Sequence, residues 1–210
     1  MKQNNEKKVI VITGSIGTGK SAAVNIIKNL GFHVLDSDKI VHEGYNKGTE
    51  LYQKVTEHFG EKILNEDRTI NRQKLGEIVF NDEKYLNELN EIVHVYVINK
   101  LKKGIEECGD KVVFLDIPLF FESMGREIEC GLKFDEVWLI YTSLEIQKER
   151  LVQRAISENK SPNDVLNIIQ RQMSIDKKVL MADRVIDNNG TIEELEAKIK
   201  ELLEINPLGR

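Results

Sequence analysis

The sequence is poor in cysteine and contains no long apolar run. Only two of its 210 residues are cysteines, Cys108 and Cys130, and their spacing does not suit a metal site. We expect both to be reduced thiols in a cytoplasmic protein. The apolar runs are all much shorter than the roughly 20 residues of a membrane-spanning helix. The N-terminal residues have no signal-peptide pattern, so we expect no membrane partner.

The sequence also has no excess of positive charge. Its 30 Lys and Arg residues are outnumbered by 35 Asp and Glu residues, which gives a net charge of −5. Nucleic-acid-binding proteins usually carry a basic surface, so we expect no nucleic-acid partner. Small anionic ligands remain possible, because they need only a local cluster of donors. The 40% apolar and 31% charged residues are typical of a globular domain, and we assign residues 1–210 to one domain.

Five short apolar runs alternate with longer amphipathic segments. The runs cover residues 9–13, 33–36, 112–116, 136–141 and 184–187. Most are dense in Val, Ile and Leu, as expected of strands that are covered on both faces. Strand and helix alternation of this kind predicts an α/β fold with a parallel five-stranded sheet.

Two helical segments are predicted to be added to this sheet domain. Residues 39–108 contain no convincing strand, and their apolar residues recur at helical spacing, so we predict an inserted helical subdomain. Residues 145–175 form two helical patterns joined by a turn, with Ser161 as a helix cap and Pro162 in the first turn. Near the C-terminus, a helical stripe predicted to be buried consists of Ile192, Leu195, Ile199 and Leu202.

The strongest motif is a phosphate-binding loop. Residues 14–21 read GSIGTGKS and match the pattern G-x-x-x-x-G-K-[ST] in full. Glycines allow the backbone to curl so that its N–H groups face one point, and the following helix adds its positive end. Lys20 can reach the β- and γ-phosphates, and the Ser21 hydroxyl can ligate Mg²⁺. The flanking strand and helix disfavour an ordinary glycine turn.

Charged residues in three further segments have two readings each. Asp116 ends an apolar run, where it can help to hold Mg²⁺ or cap the next turn. Asp38 follows another strand and can act as a base, whereas Asp36 or Ser37 can cap a helix there. Arg150 and Arg154 share one helix face, where they can bind a phosphoryl group or form a solvated charged surface.

These features favour a small-molecule kinase. A GTPase would need an Asn-Lys-x-Asp sequence, and the most similar string, residues 46–49, lacks the aspartate. Two alternatives stay open, namely a kinase for another nucleotide or metabolite acceptor and a non-catalytic ATP-binding module. A base at Asp38 and the paired arginines argue against the second alternative, because binding alone needs no base.

Together, the motifs resemble the dephospho-coenzyme A kinase family almost from end to end. The matching segments are residues 13–21, 34–40, 72–80, 115–122, 147–154, 172–173 and 182–188. Two positions depart from the family pattern. Val95 stands where the family usually has Pro after His94, and Ile168 stands where it often has Arg. The change at position 95 bears on the local backbone, and His94 suits either a core position or an acceptor contact.

The resemblance implies a three-layer phosphate-loop kinase fold in which residues 39–108 bind the acceptor and residues 145–175 form a lid. It implies that ATP, with Mg²⁺, phosphorylates the ribose 3′-hydroxyl of dephospho-coenzyme A. The implied catalytic residues are Asp38, Lys20 and Arg150, and the implied metal ligand is Ser21. The implied nucleotide-binding residues are Gly17, Thr18, Gly19, Lys20, Ser21, Ala22, Arg154 and Asn188. The implied acceptor-binding residues are Asp38, Arg72 and His94.

Overall fold

The computed structural model describes residues 7–205, without the side chains of residues 163–165 and 205. The chain divides into two compact units. The first consists of the described residues up to Leu35 and from Ile105 onward, and the second is Asp36–Gly104. Each unit is described separately below.

A five-stranded sheet forms the centre of the first unit. Its strands are β1 (Lys8–Thr13), β2 (His33–Asp36), β3 (Val112–Asp116), β4 (Glu136–Tyr141) and β5 (Arg184–Asp187). Their order is β2-β3-β1-β4-β5, and β1 pairs in parallel with both β3 and β4. The predicted parallel five-stranded sheet is therefore confirmed, with strand limits that agree to within one residue.

Both faces of the sheet are buried, because successive strand side chains point to opposite sides. On one face, Ile12, Phe114 and Trp138 pack in a core with residues of α1 (Lys20–Asn29) and α10 (Ile192–Ile205). On the other face, the alternate residues of β1 and β3 are also buried, and α6 (Phe120–Glu129) packs against β1. Continuous burial explains why these strands read as unbroken apolar runs.

One predicted core residue of the C-terminal helix is wrong. Leu195 and Ile199 are buried as expected, but Ile192 is 49% exposed. Ile192 is the first residue of α10, at the end of the predicted stripe. Helical spacing identifies the face of the helix that is buried, but it does not show at which residue that burial ends.

Three helices lie between β4 and β5. These are α7 (Leu144–Ser157), α8 (Pro162–Arg171) and α9 (Ile175–Met181), and α7 packs against α8. Ser143 caps α7 by accepting a hydrogen bond from the N–H of Ile146 at 3.4 Å. Pro162 is the first residue of α8, where its missing N–H is no loss. The α7–α8 hairpin occupies most of residues 145–175, whose role as a lid stays a prediction.

The second unit is helical. It contains α2 (Ser37–Gly44), α3 (Glu50–Phe59), a short 3-10 helix (Glu61–Ile63), α4 (Arg72–Phe80) and α5 (Glu83–Glu107), which continues past the boundary. Its core includes the fully buried Leu51, Val55 and Ile63. This unit overlaps the predicted subdomain at residues 39–108, and its role in acceptor binding stays a prediction.

Two expectations from composition can be compared with the described residues. Cys108 and Cys130 are not joined in a disulfide, as the sequence predicts. Among residues 7–205, no helix combines the length and the apolar character needed to cross a membrane.

Candidate active site

The phosphate loop connects β1 to α1 and adopts a glycine-dependent conformation. Gly17 and Gly19 have φ angles of 79° and 85°, in the left-handed region that other residues rarely adopt. The Thr18 hydroxyl donates to the carbonyl of Ser15 at 2.8 Å, which closes the loop on itself. Because α1 begins at Lys20, its first-turn N–H groups and positive end lie at this loop. This arrangement suits the binding of phosphate groups.

Asn188 supports the phosphate loop through a hydrogen bond. It is buried, and its Nδ2 donates to the carbonyl of Thr18 at 2.8 Å. A Cβ at position 19 would lie only 2.1 Å from this nitrogen, so glycine is required there for space as well as for φ. The carbonyl of Asn188 in turn accepts a hydrogen bond from Thr142 at 2.9 Å. These contacts give Asn188 a structural task, and its predicted contact with the nucleotide stays a prediction.

Lys20 and Asp116 form an ion pair at the carboxyl edge of the sheet. Lys20 begins α1 and Asp116 ends β3, and their side chains are only 14% and 8% exposed. The pair places a cation and a carboxylate beside the phosphate loop. Ser21, the next residue along α1, is exposed. The Ser21 hydroxyl and the Asp116 carboxylate are hard oxygen donors of the kind that Mg²⁺ prefers, so the residues fit that ion.

The two arginines of α7 have different surroundings. Arg150 is half-buried, and its Nη1 donates to the Thr142 hydroxyl at 3.4 Å. The same nitrogen would be 3.7 Å from a Cβ at position 19, so Arg150 lies beside the phosphate loop. Arg154 is one helical turn further along, and its Nε is 2.7 Å from Glu158. Hydrogen bonds from Arg154 and then Lys160 lower the pKa of Glu158 to about 2.

In the second unit, Asp36 and Asp38 lie at the start of α2 in different surroundings. The Asp36 carboxylate caps the helix by accepting from the N–H of Lys39 at 2.9 Å. Asp38 lies in the first turn and is exposed. Because Asp36 provides the cap, Asp38 is not needed for capping and its carboxylate is accessible for another task.

A cluster of aromatic and basic side chains lies along the same helix. Asp38 and His42 are four residues apart, so they share one face of α2. Arg72, at the start of α4, has its Nη2 3.1 Å from Nδ1 of His42, and its guanidinium is 5.5 Å from the centroid of the Tyr45 ring. Burial raises the pKa of the Tyr45 phenol, although the charge of Arg72 opposes this shift. Arg72 was predicted as a site residue from the sequence, whereas His42 and Tyr45 were not.

His94 lies in the long helix α5. Its Nε2 is buried and has no hydrogen-bond partner among residues 7–205. A buried ring nitrogen without a partner is unfavourable unless a ligand or water completes it. This observation is compatible with the predicted acceptor contact of His94, which stays a prediction.

The structure thus groups the predicted residues in two sets. The loop residues 17–22, Arg150 and Asn188 lie together in the first unit, where Lys20 and Asp116 pair. Asp38 and Arg72 belong to the second unit, where Arg72 contacts His42, which lies one helical turn after Asp38 in α2. The other residues missed at the loop are Gln147 and Gln172, whose side chains hydrogen-bond to Ile16. Both lie in segments that match the family pattern.

Comparisons with known proteins agree with this arrangement. The family model described as dephospho-CoA kinase matches residues 8–194. A dephospho-CoA kinase of Listeria innocua is 38% identical over 201 residues, which cover 94% of this chain and 96% of that protein. One of Staphylococcus epidermidis is 42% identical over 200 residues, covering 94% of each.

A solved structure agrees as well. The dephospho-CoA kinase from Campylobacter jejuni is similar with a TM-score of 0.67 and 29% identity, covering 94% of this chain and 96% of that one. The matches extend over nearly the whole length of both partners, so they include the phosphate loop, the helical unit and the α7–α8 hairpin together. The resemblance inferred from the motifs is confirmed, and the chain belongs to the dephospho-CoA kinase family.

Proposed function

We propose that this chain transfers the γ-phosphoryl group of ATP to the ribose 3′-hydroxyl of dephospho-coenzyme A. In this reaction the 3′-oxygen forms a bond to the γ-phosphorus. The bond from that phosphorus to the β,γ-bridging oxygen breaks, and ADP leaves. The hydroxyl proton passes to a carboxylate and then to solvent. The products are coenzyme A and ADP.

The observation that carries the proposal is the grouping of charges at the phosphate loop. Lys20 and Arg150 both lie at this loop, and each can stabilise negative charge on a transferring phosphoryl group. The forked guanidinium of Arg150 suits the several oxygens of that group. Arg154 is a further candidate for nucleotide binding, although in this structure its Nε is engaged by Glu158. The loop backbone and the start of α1 would bind the β- and γ-phosphates.

The divalent ion that accompanies ATP would be held by Ser21 and Asp116. Mg²⁺ supplies charge neutralisation across the β- and γ-phosphates when it is bound. In the structure, the Asp116 carboxylate is paired with Lys20. Because Lys20 is also suited to phosphate binding, arrival of the nucleotide offers it a second anionic partner.

Asp38 is proposed as the base for the acceptor hydroxyl. Its carboxylate is exposed, and it is not needed as the cap of α2 because Asp36 provides that cap. The residues proposed to bind the acceptor are Arg72 and His94. Arg72 presents a cation against Tyr45, and His94 has a buried nitrogen that lacks a partner among residues 7–205.

The test is to incubate purified protein with Mg-ATP and dephospho-coenzyme A and to identify the products by mass spectrometry. We expect coenzyme A and an equal amount of ADP. Protein that binds ATP but gives no coenzyme A would overturn the proposed acceptor. Product formed only from another nucleotide or metabolite would identify a different kinase, and the absence of product from every acceptor would indicate a binding module.

A pair of variants tests the base. Asp38→Asn should lower kcat by about 10²–10⁴-fold, the usual contribution of a general base. Asp36→Asn is the matched control, because it removes a carboxylate two residues away while asparagine still caps the helix. Near-normal turnover of Asp38→Asn, or an equal loss in both variants, would contradict the assignment.

A further inference from the structure

Ile16 of the phosphate loop is held by two glutamine side chains. Its N–H donates to Oε1 of Gln172 at 3.0 Å, and its carbonyl accepts from Nε2 of Gln147 at 2.6 Å. Both backbone polar groups of a single loop residue are therefore satisfied by side chains. The two bonds fix the orientation of the peptide groups on either side of Ile16. The second of these peptide groups leads directly into Gly17, whose φ of 79° is part of the loop conformation.

The two glutamines come from opposite ends of the α7–α8 hairpin. Gln147 lies in the first turn of α7 and is 1% exposed. Gln172 follows the last residue of α8. Both ends of the hairpin are thus joined to the same residue of the loop, across 131 and 156 residues of sequence.

Glu122, which is paired with a buried lysine, fixes the segment that carries Gln172. The N–H of the next residue, Met173, donates to Oε1 of Glu122 at 3.0 Å. The same oxygen is 2.8 Å from Nζ of Lys178, which is completely buried. The contact with Lys178 lacks the angles of a hydrogen bond and is an ion pair. Because Glu122 belongs to α6, the segment is fastened to the body of the sheet domain as well as to the loop.

We propose that Gln147 and Gln172 are positioning residues that hold the phosphate loop at Ile16 in its nucleotide-binding conformation and join the loop to the α7–α8 hairpin. The inference rests on the proposed function in one respect, that the loop binds ATP. Neither glutamine needs to touch the nucleotide. Both act through the backbone of Ile16, so that the loop is already shaped when the nucleotide arrives and less ordering accompanies binding.

The chemistry of the two bonds gives the glutamines different requirements. A carbonyl can only accept and an N–H can only donate, so the orientation of each amide group is fixed by its partner. Gln172 serves as an acceptor, and a glutamate carboxylate can replace it. Gln147 serves as a donor, and a carboxylate there would direct an oxygen at the Ile16 carbonyl. Glutamate at either position adds one negative charge near the loop, so the charge itself is common to both variants.

The experiment compares Gln147→Glu with Gln172→Glu by calorimetric titration with Mg-ATP at pH 8, which measures Kd without turnover. We expect Gln147→Glu to bind ATP about tenfold more weakly than Gln172→Glu, the effect of one lost hydrogen bond together with an unsatisfied carbonyl. Gln147→Met and Gln172→Met remove each bond without adding charge, and both should weaken binding to a similar extent. Equal affinities of the two glutamate variants would overturn the proposal.

A pH series gives a second readout that a purely structural role would not produce. A protonated carboxyl at position 147 regains a donor for the Ile16 carbonyl, so the affinity of Gln147→Glu for ATP, relative to wild type, should recover as the pH falls from 8 to about 5.5. The Gln172→Glu variant should show no such recovery, because its acceptor is present throughout. If neither variant regains ATP affinity at low pH, or if both do, the assigned donor role of Gln147 and acceptor role of Gln172 are contradicted.

The failures of the two proposals can be distinguished. Wild-type protein that does not bind Mg-ATP would overturn the proposed function together with this inference. Protein that binds ATP but does not phosphorylate dephospho-coenzyme A would overturn only the acceptor. Thermal midpoints of all four variants serve as a control for folding, and if Gln147→Glu is unfolded, the Gln147→Met and Gln172→Met pair decides the question. Unchanged affinity in those two variants would then reject the proposal.

Discussion

Lys20 pairs with Asp116, which joins the first residue of α1 to the last residue of β3. Both side chains are mostly removed from water, so each charge depends strongly on its surroundings. The pair therefore has two consequences. It links the start of α1 to the end of β3, and it holds together two groups that the proposed reaction uses.

The first prediction concerns the strength of this pair. Lys20→Met should lower the free energy of unfolding by about 3 kcal/mol, because it deprives a buried carboxylate of a cation. A double variant, Lys20→Met with Asp116→Leu, should recover part of that loss. Denaturant unfolding of both single variants and the double variant measures the coupling. Additive losses would show that the pair does not contribute to stability, whereas ATP binding should be weakened in every variant that lacks Lys20.

The second prediction distinguishes a glycine that is required only for its φ angle from one that is also required for space. Gly19 and Gly31 have nearly equal φ angles of 85° and 87°. Alanine at position 31 would meet nothing within 4 Å, whereas at position 19 it would displace Asn188 from Thr18. Both substitutions should cost about 1–2 kcal/mol of backbone strain. Only Gly19→Ala should also weaken ATP binding, by tenfold or more, as measured by calorimetry. Equal ATP affinities would contradict the role of Asn188 as a support.

The sheet and the phosphate loop could be predicted because their signals are local. A strand buried on both faces is a continuous apolar run, and a phosphate loop requires glycines, Lys20 and Ser21 at fixed spacing. The hydrogen bonds of Gln147 and Gln172 to Ile16 could not be predicted in this way. They join residues more than 100 positions apart and leave no periodic pattern. The family motifs therefore include both glutamines without indicating what they contact.

The cluster around Arg72 was missed for a related reason. His42 looks like a surface residue of an amphipathic helix, and only the position of α4 relative to α2 within the helical unit brings Arg72 to it. In contrast, a helix cap at Asp36 or Ser37 was predictable, and Asp36 provides it, because capping depends on residues two or three positions away. Local rules therefore predicted the backbone features, and tertiary packing decided the side-chain contacts of the site.

The third prediction contrasts the two arginines of α7. Arg150→Ala should lower kcat on the order of 10³-fold, because Arg150 lies beside the loop and a guanidinium at a transferring phosphoryl group has a large effect. Arg154 forms an exposed pair with Glu158, so Arg154→Ala should leave the thermal midpoint nearly unchanged. Its kcat should fall by less than tenfold. Steady-state kinetics measure which variant loses more kcat. A larger loss for Arg154→Ala would contradict the role given to Arg150.

The fourth prediction concerns alkaline pH. Burial raises the pKa of Tyr45 above its ordinary value of 10.0, against the opposing charge of Arg72. The folded state therefore favours the neutral phenol, and this contribution is complete below pH 10 and is lost as the pH rises beyond it. Tyr45→Phe keeps a ring for Arg72 but cannot ionise. Between about pH 9 and 11, the thermal midpoint of wild type should fall more steeply than that of Tyr45→Phe. Parallel curves would contradict the assignment.

The last prediction uses the unequal exposure of Lys178 and Glu122. The Lys178 side chain is completely buried, whereas Glu122 is 23% exposed and also accepts the N–H of Met173. Glu122→Gln leaves a buried ammonium without its counter-ion and should lower the free energy of unfolding by about 3–5 kcal/mol. Lys178→Met should have a smaller effect, because the remaining carboxylate keeps some contact with water and one hydrogen bond. Urea unfolding of both variants would contradict this reasoning if Lys178→Met were the more damaging.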